Sequence, residues 1–389
     1  MEQTFLWHDY ETFGISAPSD RPAQFAAIRT DASLNEIGEP INILCQPAPD
    51  YLPDPASCLV TGITPQHCLQ HGLAEQAFAA RIHAALSQAG TIGVGYNSIR
   101  FDDEVTRFLF WRNLIDPYGR EWQDGCGRWD LLDVMRLAHA LRPDGIHWPQ
   151  HENGTTSCRL EHLSAANGLQ HDSAHDALSD VRATLALARL LKTVQPKLFD
   201  FALALHKKDR VAQELGLPVT QHHAQPFLHV SGMLPAQHGF MAVMWPLASH
   251  PVNRNKIIAW DLRHDPQELA DLSATEIRQR LFTKSDDLPE GVRRLPIKGI
   301  HLNRSPMVVR NLHVLTHQQA QRWQIDLDQA QRHAEIARDL PDMSAIWSEV
   351  FARPQTAAVD IDVDGDLYAG FVSAADRRRL EPFRQLPGA

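Results

Sequence analysis

The order of strand-like and helix-like segments constrains the fold of this chain more than any other feature. From Thr4 to about Gln195, strand-like runs come first, and strands then alternate with helices. Such a chain buries the apolar face of a sheet beneath helices, so the pattern predicts an α/β (α+β) fold with a mixed sheet and flanking helices. Strands are expected to begin at residue 5 and to span 24–30, 41–46 and 91–96, and helices to span 74–86, 102–114, 131–141, 160–167 and 176–194.

The pattern changes after Pro196, which stops the last of these helices. Short β-like pieces separated by turn residues follow, and a helical pattern returns from Asp326 to Phe351. This predicts a second, β-rich domain. A chain of 389 residues also exceeds one ordinary hydrophobic core, so two or three domains are expected. The β-like pieces lie at 228–231, 240–245, 256–261, 294–297 and 307–309.

Composition places the chain among globular proteins of the cytoplasm. Hydrophobic residues make up 43% and charged residues 22% of the chain, and no apolar run is long enough for a membrane span, so no membrane association is expected. The N-terminus lacks the basic and apolar regions of a signal peptide. The five cysteines form no CxxC pair, which favours free thiols in a reducing cytoplasm. The net charge of −10 argues more against a protein that passively coats DNA than against a cation-binding nuclease.

The first strand ends in two carboxylates on one face. Because side chains alternate along a strand, Phe5, Trp7, Asp9 and Glu11 point the same way. Two neighbouring acids oppose each other's ionisation, and a hard divalent cation such as Mg²⁺ removes that penalty. An exposed acidic strand end is the alternative, because two acids at this spacing are common by chance.

Two further motifs also place a carboxylate near the start of a helix. Asp102 follows the run that begins at Asn97 and opens a helix, where it is either a ligand or an ordinary N-cap. His175 precedes the last helix of the region, and Asp180 lies just over one turn inside it. An isolated histidine is more often structural or exposed than catalytic.

The ordered combination of these motifs resembles the histidine-bearing branch (DEDDh) of the DEDD superfamily of 3′→5′ exonucleases. Longer segments are similar to bacterial exodeoxyribonuclease I, and the similarity covers nearly the whole chain. These segments include FLWHDYETFG, DRPAQFAAIRTD, TGITPQ, GYNSIRFDDEVTR, RWDLLDVMRLAHALRPDGIHWP, RLEHLSAANGL, AHDALSD, HVSGM, HPVNRNKIIAWDL and LYAGFVSAADRR.

The resemblance implies a catalytic set and a fold. Asp9, Glu11, Asp102 and Asp180 would hold two Mg²⁺ ions, with Mn²⁺ as a substitute, and His175 would be the general base. Asp103, Asp176 and His171, which neighbour these positions, receive no catalytic role. The implied domains are a ribonuclease H-like exonuclease domain (1–195), an SH3-like β-rich domain (196–350) and the start of a shortened helical C-terminal domain (351–389). A shortened domain would enclose less of the DNA strand, so the sequence leaves the processivity of the enzyme open.

The implied reaction is the release of 5′-mononucleotides from the 3′ end of single-stranded DNA, in DNA repair and recombination. We expect a monomer that binds single-stranded DNA, and the resemblance also implies docking to the tail of the single-stranded DNA-binding protein. Two competing functions remain: a non-catalytic DNA-binding or adaptor protein, and an RNA-directed enzyme on the same core. The five intact motif residues argue against the first, and the long second domain argues against the second.

Candidate substrate contacts follow from position alone. Glu11 is shared with the metal set, and Thr12 and Phe13 directly follow it. These residues are therefore expected to meet the terminal nucleotide, with Phe13 stacking on or wedging a base. Three more candidates lie in loops or helix starts of the same domain, with ordinary packing or solvated charge as the equal alternative: Arg142, Trp148 and Arg159.

Overall fold

Two five-stranded sheets organise the molecule. The computed structural model describes residues 3–169, 176–220, 223–352 and 361–386. In the first sheet the strand order is β3-β2-β1-β4-β5; β1 is antiparallel to β2 and parallel to β4, which makes the sheet mixed, as the sequence predicts. Its strands are β1 (Thr4–Thr12), β2 (Pro22–Thr30), β3 (Ile41–Leu44), β4 (Thr91–Gly95) and β5 (Gly127–Asp130).

Helices cover both faces of this sheet, because β1 is apolar on both of its faces. Phe5 and Trp7 belong to the cluster that includes α5 and α7, whereas Leu6 and Tyr10 pack with α3 and α4 on the other face. The helices of this half are α1 (Pro55–Thr61), α2 (Pro65–His71), α3 (Glu75–Leu86), α4 (Asp102–Arg112), α5 (Leu131–Leu141), α6 (Leu160–Ala166), α7 (Ala177–Val194), α8 (Pro196–Ala204) and α9 (Lys208–Leu215).

The second sheet has the strand order β10-β6-β7-β8-β9, and every pairing in it is antiparallel. Its strands are β6 (Phe227–Val230), β7 (Met241–Ser249), β8 (Lys256–Asp261), β9 (Ile297–His301) and β10 (Met307–Val309). The remaining helices are α10 (Ala274–Phe282), α11 (His317–Arg322), α12 (Leu327–Asp339), α13 (Ser344–Val350) and α14 (Ala374–Phe383).

The sequence-based elements agree with the structure except in a few places. The strand expected at 294–297 is wrong: β9 begins at Ile297, because Pro296 has no N–H to donate to a ladder. Elements without an expected counterpart are α1, α2, α8, α9, β5, α10 and α11. The domain boundary at 195 stays a prediction. Beyond it, α8 packs against Trp129 of β5, whose Nε1 donates to the backbone carbonyl of Ala202 in α8 at 3.2 Å.

A buried ion network lies at the start of α4. The carboxylate of Asp103 pairs with Arg120 at 2.5 Å and with Arg128 at 3.0 Å, and all three side chains are buried. Burial alone would raise the pKa of Asp103, but the two guanidinium groups hold it well below its usual value. Arg128 also donates to the backbone carbonyl of Asn303 at 3.0 Å, so the network joins the first sheet region to the second.

The C-terminal segment 361–386 lies across α4. The Tyr368 hydroxyl donates to Glu104 and accepts from Arg107 Nη1 at 3.2 Å. Trp111 Nε1 donates to the carbonyl of Val363 at 2.8 Å. The segment is therefore anchored along the helix that begins with Asp102.

Within the described ranges, no helix has the length and apolarity that a membrane span requires.

Replacing Asp103 with Ala is expected to lower the free energy of unfolding by about 3–5 kcal/mol, because two buried guanidinium groups lose their shared counter-charge. Urea denaturation monitored by circular dichroism measures the change. Glu36→Ala is the control: it removes an exposed pair with Arg189 at 3.5 Å, and such pairs contribute at most about 1 kcal/mol. Equal effects of the two variants would show that the network does not stabilise the fold.

Candidate active site

Three carboxylates converge where β1 meets the start of α7. Asp9 and Glu11 lie on the same face of β1, and Asp180 lies in the first turn of α7. One carboxylate oxygen from each of the three lies within 4.8 Å of the others. Glu11 is only 9% exposed and Asp9 is half-buried, so this is not an exposed acidic strand end.

Asp102 approaches the same place from the start of α4. Its Oδ1 accepts the backbone N–H of Tyr10 at 3.1 Å. Tyr10 is the residue between Asp9 and Glu11, so this hydrogen bond fixes the Asp102 carboxylate against β1. The turn before α4 is held by Asp130, whose carboxylate accepts the backbone N–H groups of Asn97 at 2.9 Å and Ile99 at 3.1 Å. Asn97 has the left-handed backbone conformation, with φ of 66°, that this sharp turn requires.

The acids of the site disfavour one another's charged forms. Burial and the charges of Asp102, Asp180 and Glu11 raise the pKa of Asp9 well above its usual value. Burial, followed by Asp180 and Asp176, raises the pKa of Glu11 to about 7. A divalent cation among these oxygens would offset both effects, and an all-carboxylate donor set suits hard cations such as Mg²⁺. The residues present therefore fit the implied metal.

The N-terminus of α7 is capped by Asp176, whose side chain accepts the Ser179 N–H at 3.1 Å. The same carboxylate accepts from Gln24 of β2 at 3.1 Å. Asp176 therefore has a capping contact in the structure, and Asp103 belongs to the buried ion network. His171 and His175, the expected general base, lie outside the described residues.

The expected substrate contacts of the first strand differ in exposure. Thr12 is half-buried and its hydroxyl donates to the carbonyl of Gly14 at 2.6 Å. Phe13 is 1% exposed and packs with Ala23 and Cys68, so its ring is covered in this structure. Stacking of Phe13 on a base stays a prediction.

The other three candidates do not share one environment. Arg159, at the N-cap position of α6, keeps a side chain that is 66% exposed, 3.8 Å from Glu161. Arg142 donates to the backbone carbonyls of its neighbour Leu141 and, at 3.1 Å, Val314. Trp148 Nε1 donates to the Pro143 carbonyl at 2.9 Å. Of the three, Arg159 has the side chain most accessible to a phosphate.

Two supporting residues escaped the sequence-based reasoning. Gln24 lies directly opposite Glu11 in the β1–β2 register, a relation that only strand pairing shows. Asp130 ends the four-residue strand β5 and caps α5 by accepting the Leu132 N–H at 3.0 Å. A carboxylate at a strand end just before a helical run is a recognisable signal for Asp130, whereas Gln24 has no comparable signal.

Family models match both halves of the chain. The model described as Exonuclease matches residues 6–188, and the model described as Exonuclease I SH3-like domain matches residues 206–353. The second sheet with its helices is thus an SH3-like domain, and the first is the exonuclease domain.

Curated relatives and solved structures agree with these matches. The chain is 45% identical to exodeoxyribonuclease I of Escherichia coli over 98% of this chain and 79% of the relative, and 43% identical to that of Haemophilus influenzae over 99% and 80%. E. coli exonuclease I in complex with a dA16 oligonucleotide superposes with a TM-score of 0.92, at 43% identity, over 99% of this chain and 81% of that one. Exonuclease I from Methylocaldum szegediense also has a TM-score of 0.92, at 47% identity, over 99% of this chain and 79% of that one. With both domains matched and sequence similarity along nearly its whole length, this chain belongs to the exodeoxyribonuclease I family of 3′→5′ exonucleases.

Proposed function

We propose that this protein hydrolyses single-stranded DNA from its 3′ end and releases 5′-mononucleotides, with Mg²⁺ as its cofactor. The convergence of Asp9, Glu11 and Asp180 within 4.8 Å, beside Asp102, carries this proposal. Solved complexes of the E. coli relative with dA16 and dT13 oligonucleotides support single-stranded DNA as the substrate. A zinc-bound form of the E. coli enzyme with single-stranded DNA supports a metal site in the family.

The four acids have one proposed task, which is to hold two divalent cations beside the terminal phosphodiester. When bound, these cations would supply positive charge that activates a water molecule and stabilises the leaving 3′ oxygen. The chain fixes the acids in advance: β1 sets the spacing of Asp9 and Glu11, and the Tyr10 N–H orients Asp102.

Proton transfer is assigned to His175, which precedes the α7 helix that carries Asp180. A neutral imidazole has a pKa near the working pH, so it accepts a proton from the attacking water without a large energetic penalty. Strand binding is assigned in part to Arg159, because its guanidinium is exposed and phosphate oxygens accept from such groups. Thr12 and the backbone that follows it border the site at the end of β1.

The wider setting is proposed from the family and from composition. We place the protein in the cytoplasm, as a monomer that acts in DNA repair and recombination. Docking to the tail of the single-stranded DNA-binding protein would bring this enzyme to single-stranded DNA. All five cysteines lie in the described residues and none forms a disulfide, which is compatible with a reducing compartment.

A single-stranded DNA oligonucleotide labelled at its 5′ end tests the reaction and its direction. With protein and Mg²⁺, the labelled fragments are expected to shorten stepwise from the 3′ end, while a matched duplex and an RNA of the same sequence remain intact. Shortening of the RNA at a similar rate would replace the proposal with an RNA-directed enzyme. Binding without shortening would indicate a non-catalytic DNA-binding protein.

Asp9→Asn is expected to abolish turnover and to stabilise the metal-free fold, because it removes one of several mutually repelling carboxylates. Thermal unfolding in EDTA should therefore give a higher midpoint for Asp9→Asn than for the wild type. Mg²⁺ should restore wild-type activity and raise its midpoint, with a much smaller rise for the variant. Asp50→Asn, at an exposed carboxylate, is the control. Full wild-type activity in EDTA would rule out the metal-dependent mechanism.

His175→Ala is expected to lower the turnover number by about 10²-fold or more through loss of the general base, with Mn²⁺ binding unchanged. Single-turnover measurements on the labelled oligonucleotide give the rate, and calorimetric titration gives the metal affinity. His171→Ala, in the same stretch of chain, is the matched control and should keep wild-type turnover. Equal turnover in both variants would remove His175 from the mechanism.

A further inference from the structure

Gln24 of β2 makes three hydrogen bonds at the start of α7 and at the sheet edge. Its Nε2 donates to Asp176 Oδ1 at 3.1 Å and to Asn42 Oδ1 at 2.9 Å, and its Oε1 accepts the backbone N–H of Ala177 at 3.3 Å. The side chain is 6% exposed. A buried amide with both its donor and its acceptor groups engaged has one well-defined orientation.

These contacts bear on Asp180 through one short path. Asp176 receives the Gln24 donor on Oδ1 and caps Ser179 with Oδ2, while its backbone carbonyl accepts the N–H of Asp180 at 3.0 Å. The first turn of α7 is therefore attached to β2 at the residue that stands directly opposite Glu11. The strand pair that carries Asp9 and Glu11 thus sets the position of the third carboxylate.

We propose that Gln24 is a positioning residue, which holds the first turn of α7 so that Asp180 stays within metal-binding distance of Asp9 and Glu11. This inference rests on the proposed metal-dependent function. The three carboxylates repel one another before a cation binds, and the attachment of α7 to β2 opposes the movement of Asp180 away from the other two. An amide suits this task, because it donates to Asp176 without adding another negative charge beside Glu11.

Hydrogen-bond partners that orient metal ligands contribute strongly to metal affinity, and their loss commonly weakens it by about 10- to 100-fold. Gln24→Met keeps the length of the side chain and removes its hydrogen bonds. We expect Gln24→Met to weaken Mn²⁺ binding at least about tenfold in calorimetric titrations of the full chain. The Mg²⁺ concentration for half-maximal activity should rise by a similar factor, with an unchanged KM for single-stranded DNA at saturating Mg²⁺.

Two further variants separate positioning from general packing. Asn42→Ala removes the second acceptor of the Gln24 side-chain amide, and that acceptor lies on β3 rather than on α7. The Mn²⁺ affinity of this variant should therefore remain within about twofold of the wild type, a change that is small beside the loss expected for Gln24→Met. Asp176→Ala breaks the Gln24 contact from the α7 side, so it should weaken Mn²⁺ binding by itself. In the double variant with Gln24→Met the combined loss should be smaller than the sum of the two, because both variants remove the Gln24–Asp176 hydrogen bond. Asp176→Ala also provides the measurement if Gln24→Met does not fold.

The outcomes distinguish this inference from the proposed function. Wild-type Mn²⁺ affinity in Gln24→Met, or fully additive losses in the double variant, would overturn the positioning role while leaving the metal-dependent reaction in place. A wild-type protein that binds no Mn²⁺ would overturn both. A lower unfolding midpoint with unchanged Mn²⁺ affinity would assign Gln24 to stability alone.

Discussion

Repulsion among closely spaced, partly buried carboxylates is the constraint on which the site depends. Asp9, Glu11 and Asp180 place oxygens within 4.8 Å of one another, and burial strengthens their mutual repulsion. A flexible chain would relieve this repulsion by separating the acids. Here two of them share one strand of a central sheet, and the third lies on a helix packed against that sheet. The packing of the exonuclease domain thus keeps these mutually repelling groups together.

Each of the two helices that carry an acid has its own polar attachment. The Tyr10 N–H holds Asp102, Asp130 holds the turn that leads to Asp102, and Gln24 holds the start of α7. The helix α4 also begins with the buried network of Asp103, and the C-terminal segment lies along its length. Contacts with the SH3-like domain and with the C-terminal segment therefore meet on the helix that presents Asp102. This arrangement connects the rigidity of the site to the assembly of the whole chain.

Local patterns predicted the parts of the molecule that follow from strand and helix periodicity. The alternation along β1 placed Asp9 and Glu11 on one face, and the structure confirms it. By contrast, β5 escaped prediction because Arg128 looks like a surface residue in the sequence. It is buried because Asp103, which is distant in the sequence, supplies its counter-charge. The role of Gln24 depends on strand register, and the burial of Phe13 depends on packing with Cys68, so neither is available from a local pattern.

Repulsion by the carboxylates of the site also connects the binding of cations to the binding of DNA. A DNA phosphate is negative, so the metal-free acids oppose its approach just as they oppose one another. On the proposed function, two divalent cations held by the four acids would cancel their formal negative charge, and the repulsion that the phosphate meets would fall. Because the coupling between two ligands is reciprocal, a bound 3′ end must also raise the affinity for the cation. On the proposed function, an acidic protein with a net charge of −10 would in this way act on an anionic substrate, because the charge that the substrate meets would be that of the site with its cations bound.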